Sequence, residues 1–324
     1  MHAPRISVRC MNATAVNVDN FARAETDRMF AALSHAAGPE TKWTHYREPT
    51  PLENQTVIRM NRDTLYSYAI LDISEGATIT LPDAGDRYVS VMVVNQDHYI
   101  NNILHEPGEH RLTMDEYDTP FVMVAARTLV DVNDAGDVRV VNVLQDQFAI
   151  TSAASRPFVP AIYDEASLEA TRTALLELSK GLDGYDKAFG RKQDVDPVRH
   201  LIGTASGWGG LPEQEAYYVN VNPELPVGEY QVTVREVPVD AFWSISLYDP
   251  DGFFDQHGNG ATSINSVTAK PNDDGSVTVN FGNGNDDRPN RLSIMEGWNY
   301  IVRLYQPHPE VLSGAWTFPT LSAV

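Results

Sequence analysis

Short apolar runs separated by turn residues fill the first half of this 324-residue chain. The strand-like runs cover residues 56–60, 66–73, 77–81, 88–94 and 121–127. Turn segments such as Ser74-Glu-Gly76 interrupt them at a spacing of about ten residues, which predicts antiparallel strands in a sandwich or a barrel. The run over residues 138–148 fits a strand or a helix equally well.

A second region with the same pattern begins near residue 216. Its strand-like runs cover residues 217–222, 228–236, 241–248, 276–281 and 300–305. The segment Asn272-Asp-Asp-Gly-Ser276 predicts a hairpin turn, because Asp-Gly accepts the positive φ that such turns require. The second half is therefore expected to be an antiparallel β domain as well.

Helical periodicity marks the N-terminus and the middle of the chain. A helix is predicted over residues 19–37, with Asp19 as its N-cap, and another over residues 167–180. A short third helix is expected after Asp196-Pro197, because proline suits the first helical turn. These patterns divide the chain into an N-terminal β domain (1–155), a helical connection (156–212) and a C-terminal β domain (213–324).

The net charge of −20 narrows the classes of partner. Phosphate binding needs clustered Lys and Arg, so nucleic acid and anionic membrane surfaces are not expected as partners. No apolar run reaches the length of a membrane span, which is about 18 residues. The first residues lack the apolar core of a secretory signal, so we expect a cytoplasmic protein, or a periplasmic or secreted one whose signal has been removed.

Polar residues set into the first strand-like region form one candidate site. Asn61 and Asp63 point to the same face if the chain is extended there, and Tyr66 follows within the same unit. A carboxylate beside an amide can orient water, hold a cation or act as a general base. Alternatively, Asp63 accepts hydrogen bonds from nearby backbone N–H groups and has a structural role.

His98 and Arg127 lie at the ends of two apolar strands of the same region. His98 is a candidate acid–base residue, whereas a metal site formed with His105 and His110 does not have the usual ligand spacing. Arg127 needs an anionic partner in such a strand. That partner is either the carboxylate of a substrate or a structural one such as Asp131 or Asp146.

Aromatic residues are concentrated in the C-terminal half. Trp243 and Tyr248 are candidates to line a groove for a sugar or an aromatic ligand, although aromatic residues in a sandwich are more often core. No cofactor is predicted, since the common nucleotide and zinc motifs are absent. The segment Asp249-Pro-Asp-Gly-Phe-Phe-Asp255 leaves a divalent cation such as calcium as an alternative, without the spacing of an EF-hand.

Many ordered segments resemble the proteins that pair two domains of unknown function, DUF1254 and DUF1214. These segments are Asp19-Asn-Phe-Ala-Arg-Ala-Glu-Thr-Asp-Arg-Met-Phe30, Arg59-Met-Asn-Arg-Asp-Thr-Leu-Tyr-Ser67, Asn95-Gln-Asp-His-Tyr99, Gly207-Trp-Gly-Gly210, Val239-Asp-Ala-Phe-Trp-Ser-Ile-Ser246 and Val302-Arg-Leu-Tyr-Gln-Pro307. The resemblance implies two β-sandwich, jelly-roll-like domains with a helical connection, and it implies no reaction.

The functional hypothesis is a cleft between the two β domains, where ligands commonly bind. A hydrolase- or lyase-type enzyme would act there on a small polar or carbohydrate-like substrate, with Asp63 or His98 as the base, Tyr66 as a donor and Arg127 as an anion clamp. Alternatives are a non-catalytic protein that binds a glycan or another ligand, and a structural assembly subunit that associates with copies of itself.

Overall fold

The computed structural model describes residues 13–38, 42–55, 59–182, 184–256, 261–284 and 287–324. The helices within these ranges are α1 (Phe21–Ala37), α2 (Met114–Tyr117), α3 (Ala135–Gln145), α4 (Glu165–Ser179), α5 (Pro197–Ser206) and α6 (Pro309–Leu312). The strands are β1 (Thr44–His45), β2 (Thr64–Asp72), β3 (Ala77–Leu81), β4 (Val89–Asn95), β5 (Ile100–Leu104), β6 (Gly108–Leu112), β7 (Phe121–Leu129), β8 (Ala149–Ser152), β9 (Ala216–Val221), β10 (Tyr230–Val234), β11 (Trp243–Tyr248), β12 (Ser263–Asn265), β13 (Val277–Phe281), β14 (Arg291–Leu292), β15 (Asn299–Tyr305) and β16 (Ser322–Ala323).

Two sheets form the N-terminal half. One has the order β1-β2-β7-β4-β5 and the other the order β6-β3-β8. One hydrophobic cluster contains buried residues of both sheets, among them Leu71, Ile79, Val91 and Val124. The core of the N-terminal half therefore contains side chains of both sheets.

Two four-stranded sheets form the C-terminal half, with the orders β12-β11-β15-β9 and β14-β13-β10-β16. Their pairings are antiparallel except for the parallel pair of β13 and β14. Buried residues of both sheets again share a cluster, which includes Val232, Ile245, Val279 and Val302. The mainly β class predicted from the sequence is confirmed, while the β-sandwich and jelly-roll arrangement and the domain boundaries remain predictions.

The five-stranded sheet is also covered on its second face, where the two halves meet. The cluster on that face combines Phe30 of α1 and Met92 of β4 with Phe189 of the connection and Tyr305 of β15. The Tyr305 ring stacks on Phe242 with 4.1 Å between the ring centroids. This apolar junction holds the central strands of the two halves side by side.

Several local predictions need correction or completion. Helix α1 has Asn20, not Asp19, at its N-cap. Residues 138–148 lie mostly in helix α3, which Asp134 caps by accepting a hydrogen bond from the Gly136 N–H. The predicted strand over 56–60 falls partly on residues 56–58, outside the described ranges, and its described remainder is not strand. Strands β5, β6 and β8 were not predicted. Among the described helices, none is long and apolar enough to cross a membrane.

Candidate anion-binding site

A cavity of about 370 Å³ lies at the junction of the two halves. Its lining comes from the segment before β2, from β2 and β7, and from β9 and β15. The lining residues are Tyr46, Glu48, Pro49, Thr50, Arg59, Met60, Asn61, Arg62, Thr64, Leu65, Tyr66, Arg127, Tyr218, Arg303 and Tyr305. Four arginines and one glutamate thus line a cavity in a chain whose net charge is −20.

Arg127 reaches this cavity from the middle of the five-stranded sheet. Strand β7 pairs with β2 and β4, and in this register Arg127 lies opposite Tyr66. Its neighbour Ala126 points into the core between the sheets, so the alternation of a strand places Arg127 on the opposite face. The tertiary junction covers that face and leaves the arginine only 9% exposed.

The Arg127 guanidinium has few partners for a buried cation. Nη2 donates a hydrogen bond to the Gly209 carbonyl oxygen at 3.1 Å, and the guanidinium carbon lies 5.5 Å from the centre of the Tyr66 ring. Nη1 is buried and has no hydrogen-bond partner among the described residues. A buried donor without a partner is costly, so this nitrogen has an unused capacity to donate a hydrogen bond.

Arg303 occupies the corresponding central position in the C-terminal half. It lies on β15 between β11 and β9 and is 3% exposed. Its Nη1 donates to Ser246 Oγ at 2.7 Å, and its Nη2 donates to the Tyr248 hydroxyl at 2.8 Å and to the Arg59 carbonyl at 2.9 Å. These acceptors are neutral, so they fix the guanidinium without matching its charge.

Among the described residues, neither central arginine has an ion-pair partner. Within the part of the chain that the structure describes, no carboxylate oxygen lies within 4.0 Å of Arg127 or Arg303. A larger cavity of about 720 Å³ between α1 and α4 differs in this respect, because its Arg28 and Arg172 both pair with the buried Glu25. Uncompensated positive charge therefore distinguishes the cavity between the halves.

The segment before β2 completes the cavity wall. Asn61 Nδ2 donates to the Tyr305 hydroxyl at 2.9 Å, and Asn61 Oδ1 accepts from the Asp63 N–H at 2.8 Å. Arg62 is half-buried, its Nε has no partner among the described residues, and burial lowers its pKa. Asn61 thus connects the two halves, and Arg62 joins Arg127 as a second lining arginine with a nitrogen that lacks a partner in the described ranges.

Asp63 lies beside the cavity rather than in its lining. It is 1% exposed, and its Oδ1 accepts hydrogen bonds from Ser263 Oγ at 3.2 Å and Asn265 Nδ2 at 3.5 Å. Its Oδ2 is buried without a partner among the described residues. The local turn is made by the Asn61 side chain instead of the Asp63 carboxylate, so Asp63 links the halves through β12.

Three of the predicted site residues lie behind the lining. His98 is fully buried, and burial, followed by the neighbouring His200, lowers its pKa well below the usual value. Trp243 is buried between the C-terminal sheets and packs against Phe318. Tyr248 is buried too, where its hydroxyl donates to the Met60 carbonyl at 2.7 Å and accepts from Arg303. Of the predicted residues, the cavity therefore brings together Asn61, Tyr66 and Arg127.

Arg303, Tyr305 and Tyr218 line the cavity but were not among the predicted site residues. A signal for Arg303 was present, because it is a charged residue in the apolar strand Ile301-Val-Arg-Leu-Tyr305, which is the same pattern that selected Arg127. Both proposed structural partners of Arg127 are wrong: Asp146 pairs with Arg47, and Asp131 is not within pairing distance of Arg127.

The metal alternatives have no cluster to support them in the described ranges. There, no group of three or more His, Cys, Asp or Glu side chains could hold a metal ion. In the segment 249–255, the predicted alternative for calcium, Asp249 Oδ1 accepts hydrogen bonds from the N–H groups of Asp251 and Phe253 at 3.0 and 2.9 Å. These hydrogen bonds form a local turn. Residues 257–260 lie outside the described ranges.

Two family models match the chain, both described as proteins of unknown function. DUF1254 matches residues 41–113 and DUF1214 matches residues 223–309, in the order that the sequence resemblance predicted. The chain is similar in fold to the VPA0106 protein from Vibrio parahaemolyticus, with a TM-score of 0.74 and 17% identity over 95% of this chain and 97% of that one. An uncharacterized protein from Burkholderia cenocepacia is similar with a TM-score of 0.54 and 15% identity, over 94% and 87% of the two chains. No curated protein matches the sequence.

Proposed function

Because the chain belongs to the proteins that pair a DUF1254 with a DUF1214 domain, whose function is unknown, we propose its function from the site itself. The protein binds a small organic carboxylate in the cavity between its halves. The observation that carries this proposal is the pair of buried arginines, Arg127 and Arg303, that face one cavity without a carboxylate partner among the described residues.

The charge of the cavity supports an anionic ligand. Arg127 and Arg303 are both buried, and among the described residues the Asp63 carboxylate interacts electrostatically with Arg303 without lying within pairing distance of it. Burying a charge without a partner is unfavourable, so folded proteins retain such groups where a ligand supplies the partner. Arginine binds carboxylates through two parallel hydrogen bonds, and Arg127 Nη1 has no hydrogen-bond partner among the described residues.

The cavity walls support a ligand with a flat apolar body. Tyrosine rings from both halves, Tyr46, Tyr66 and Tyr218, line it together with Leu65 and Met60. A volume of about 370 Å³ falls in the range typical of small-molecule sites, about 300–1,000 Å³. Benzoate, which joins one carboxylate to one ring, is therefore a suitable probe of this class.

Calorimetric titration with benzoate and with its neutral analogue benzamide tests the proposal. We expect saturable binding of benzoate and no binding of benzamide, because the amide lacks the charge that the arginines require. Arg127→Met should weaken benzoate binding about thirtyfold, or about 2 kcal/mol, since one member of a buried charged contact is lost. Arg191→Met, which removes an exposed arginine paired with Asp194, is the matched control and should bind benzoate normally.

Equal binding of benzoate and benzamide, or unchanged benzoate affinity in Arg127→Met, would refute the proposal. Acetate, succinate and inorganic phosphate extend the series. Tighter binding of phosphate than of every carboxylate would move the ligand class to phosphate esters.

An enzyme of hydrolase or lyase type is the second candidate, and the unpartnered Oδ2 of Asp63 favours it. A buried carboxylate oxygen without a hydrogen bond is a suitable proton acceptor when it can reach the substrate. The test is conversion of carboxylate-bearing esters and glycosides, followed by mass spectrometry. Conversion by the wild type that is absent in a folded Asp63→Asn variant would support catalysis, and no conversion of any compound would leave ligand binding as the function.

A further inference from the structure

One residue, Gly209, connects the buried His98 to the arginine of the cavity. The Gly209 N–H donates a hydrogen bond to His98 Nε2 at 3.0 Å. The carbonyl of the same glycine accepts the hydrogen bond from Arg127 Nη2 at 3.1 Å. No other described atom accepts a hydrogen bond from Arg127, so the position of this carbonyl decides where the guanidinium points.

The hydrogen bonds around His98 hold its ring in one state. Because Nε2 accepts from Gly209, the ring proton must be on Nδ1, which lies 2.8 Å from Thr204 Oγ1. The Thr204 hydroxyl in turn donates to the His200 carbonyl at 2.8 Å, inside helix α5. A neutral His98 ring that accepts at Nε2 and donates at Nδ1 satisfies all three hydrogen bonds, from Gly209 to His98, to Thr204 and to the His200 carbonyl.

Packing fixes the ring and the glycine segment in the same place. The His98 ring stacks on Trp208 with 5.3 Å between centroids and an interplanar angle of 17°. Gly209 has a φ of 77°, a conformation that glycine adopts readily. A Cβ on the next residue, Gly210, would lie 2.4 Å from the Phe189 ring, so the backbone can pass this close to Phe189 only with glycine at that position.

The backbone of His98 indicates that its position is specified. Its φ is 64°, in the left-handed region that residues other than glycine rarely adopt. Such conformations persist where the surroundings hold them and are frequent at functional sites. Here the positive φ of His98, which follows β4, directs its imidazole toward Gly209.

We propose that His98 is a positioning residue of the carboxylate site. It holds Gly209 so that the glycine carbonyl keeps Arg127 Nη2 bonded and the guanidinium fixed in the wall of the cavity. His98 itself does not touch the ligand. This inference rests on the proposed function, since it concerns how the same site is kept ready for an anion.

Two substitutions of His98 separate its contacts. His98→Asn keeps an amide near the position of Nδ1, for Thr204, and asparagine tolerates a positive φ, but it cannot reach Gly209. His98→Gln places its Oε1 near the position of Nε2 and can accept from the Gly209 N–H. We expect His98→Asn to weaken benzoate binding about tenfold, or about 1.4 kcal/mol, and His98→Gln to stay close to the wild type.

The double-mutant cycle with Arg127 gives the second readout. If His98 acts through the guanidinium, His98→Asn should not weaken benzoate binding further in an Arg127→Met background. His200→Asn is the matched control, because His200 is a buried histidine that stacks beside His98 and hydrogen-bonds the carbonyls of Ala188 and Asp97, not Gly209. Its benzoate affinity should equal that of the wild type even if its melting temperature falls.

The outcomes separate the two proposals. Absence of benzoate binding in the wild type, or binding that does not depend on Arg127, would overturn the proposed function. Arg127-dependent binding in which His98→Asn equals the wild type, or in which His98→Gln binds more weakly than His98→Asn, would overturn the positioning role alone. The ranking of the two His98 variants decides the question even when Arg127→Met binds benzoate too weakly for the cycle.

Discussion

Replacing Arg127 with methionine should make the ligand-free protein more stable. Methionine has a similar length, fills the space beside Tyr66 and carries no charge. Arginine at this position is 9% exposed, with one guanidinium nitrogen lacking a partner and no carboxylate within pairing distance in the described ranges. A residue kept for ligand binding at the expense of folding is expected to behave in this way.

The structure allows the size of the effect to be worked out. The substitution removes the hydrogen bond to the Gly209 carbonyl, worth about 1.5–3 kcal/mol for a charged donor, and a cation–π contact worth about 0.5–2 kcal/mol. It also removes a desolvated ion, for which the penalty is several kcal/mol, here about 4–6 kcal/mol with the unpartnered Nη1 included. With the middle of each range, the expected net result is a free energy of unfolding about 1.5 kcal/mol higher.

Urea denaturation in a buffer free of phosphate and carboxylates measures this difference as a shift of the midpoint at constant slope. Benzoate well above both dissociation constants should cancel this gain. Each protein is stabilised in proportion to the logarithm of the ligand concentration divided by its own Kd, so a thirtyfold weaker Kd gives Arg127→Met about 2 kcal/mol less stabilisation than the wild type. The difference between the two proteins should therefore fall to about zero or turn slightly in favour of the wild type.

Arg87→Met is the matched control for this experiment. Arg87 is also an arginine of the N-terminal half, but it pairs with Asp137 and donates to the Leu129 carbonyl at 2.6 Å. Its loss leaves a partly buried carboxylate without its cation, so stability should fall by about 1–3 kcal/mol. If Arg127→Met lowers stability as much as Arg87→Met does, Arg127 is a structural residue and the reasoning is refuted.

Two further predictions concern pH. Both ring nitrogens of His105 face acceptors, one of them Glu215; burial lowers the pKa of His105, but the bond to Glu215 outweighs it and the net shift is upward. The contact of His105 with Glu215 therefore stabilises the fold fully below the unfolded pKa of about 6.5, and this contribution is lost as the pH rises through the higher folded pKa. Denaturation measured from pH 5 to 9 should show this loss in the wild type and not in His105→Gln. Arg156 holds the pKa of the buried Asp72 well below its usual range, so that stabilisation is complete above the unfolded pKa of about 3.9 and is lost as the pH falls. Below pH 5, the free energy of unfolding should depend less on pH in Asp72→Asn than in the wild type. The same pH dependence in both proteins would contradict the assignment to Asp72.

The positions of strands and helices could be predicted from the sequence better than the partners that each strand or side chain contacts. Arg127 could be selected because a lone charge in an apolar strand needs a partner, and the same rule would have selected Arg303. Strands β5 and β6 were missed because Asn101-Asn102 and Glu109-His-Arg111 have no apolar alternation, and these strands are held by pairing with β4 and β3. Strand formation there depends on tertiary partners and not on local pattern.

The position of His98 shows a different limit. Its residue type and its place at a strand end fitted an acid–base residue, and nothing local indicated that Gly209 would cover it. Their contact joins positions separated by 111 residues, and that of Arg127 with Gly209 joins positions separated by 82. Contacts over such distances follow from how the helical connection packs on the sheet, which one sequence does not reveal.

The placement of the two arginines has a consequence for inheritance. Arg127 lies on a central strand of one half and Arg303 on a central strand of the other, so either half alone would carry half of the cavity. A gene that lost one domain would lose the ability to bind the ligand, even if the remaining domain still folded. If the cavity binds the proposed carboxylate, selection for that ligand would keep the two domains in one reading frame.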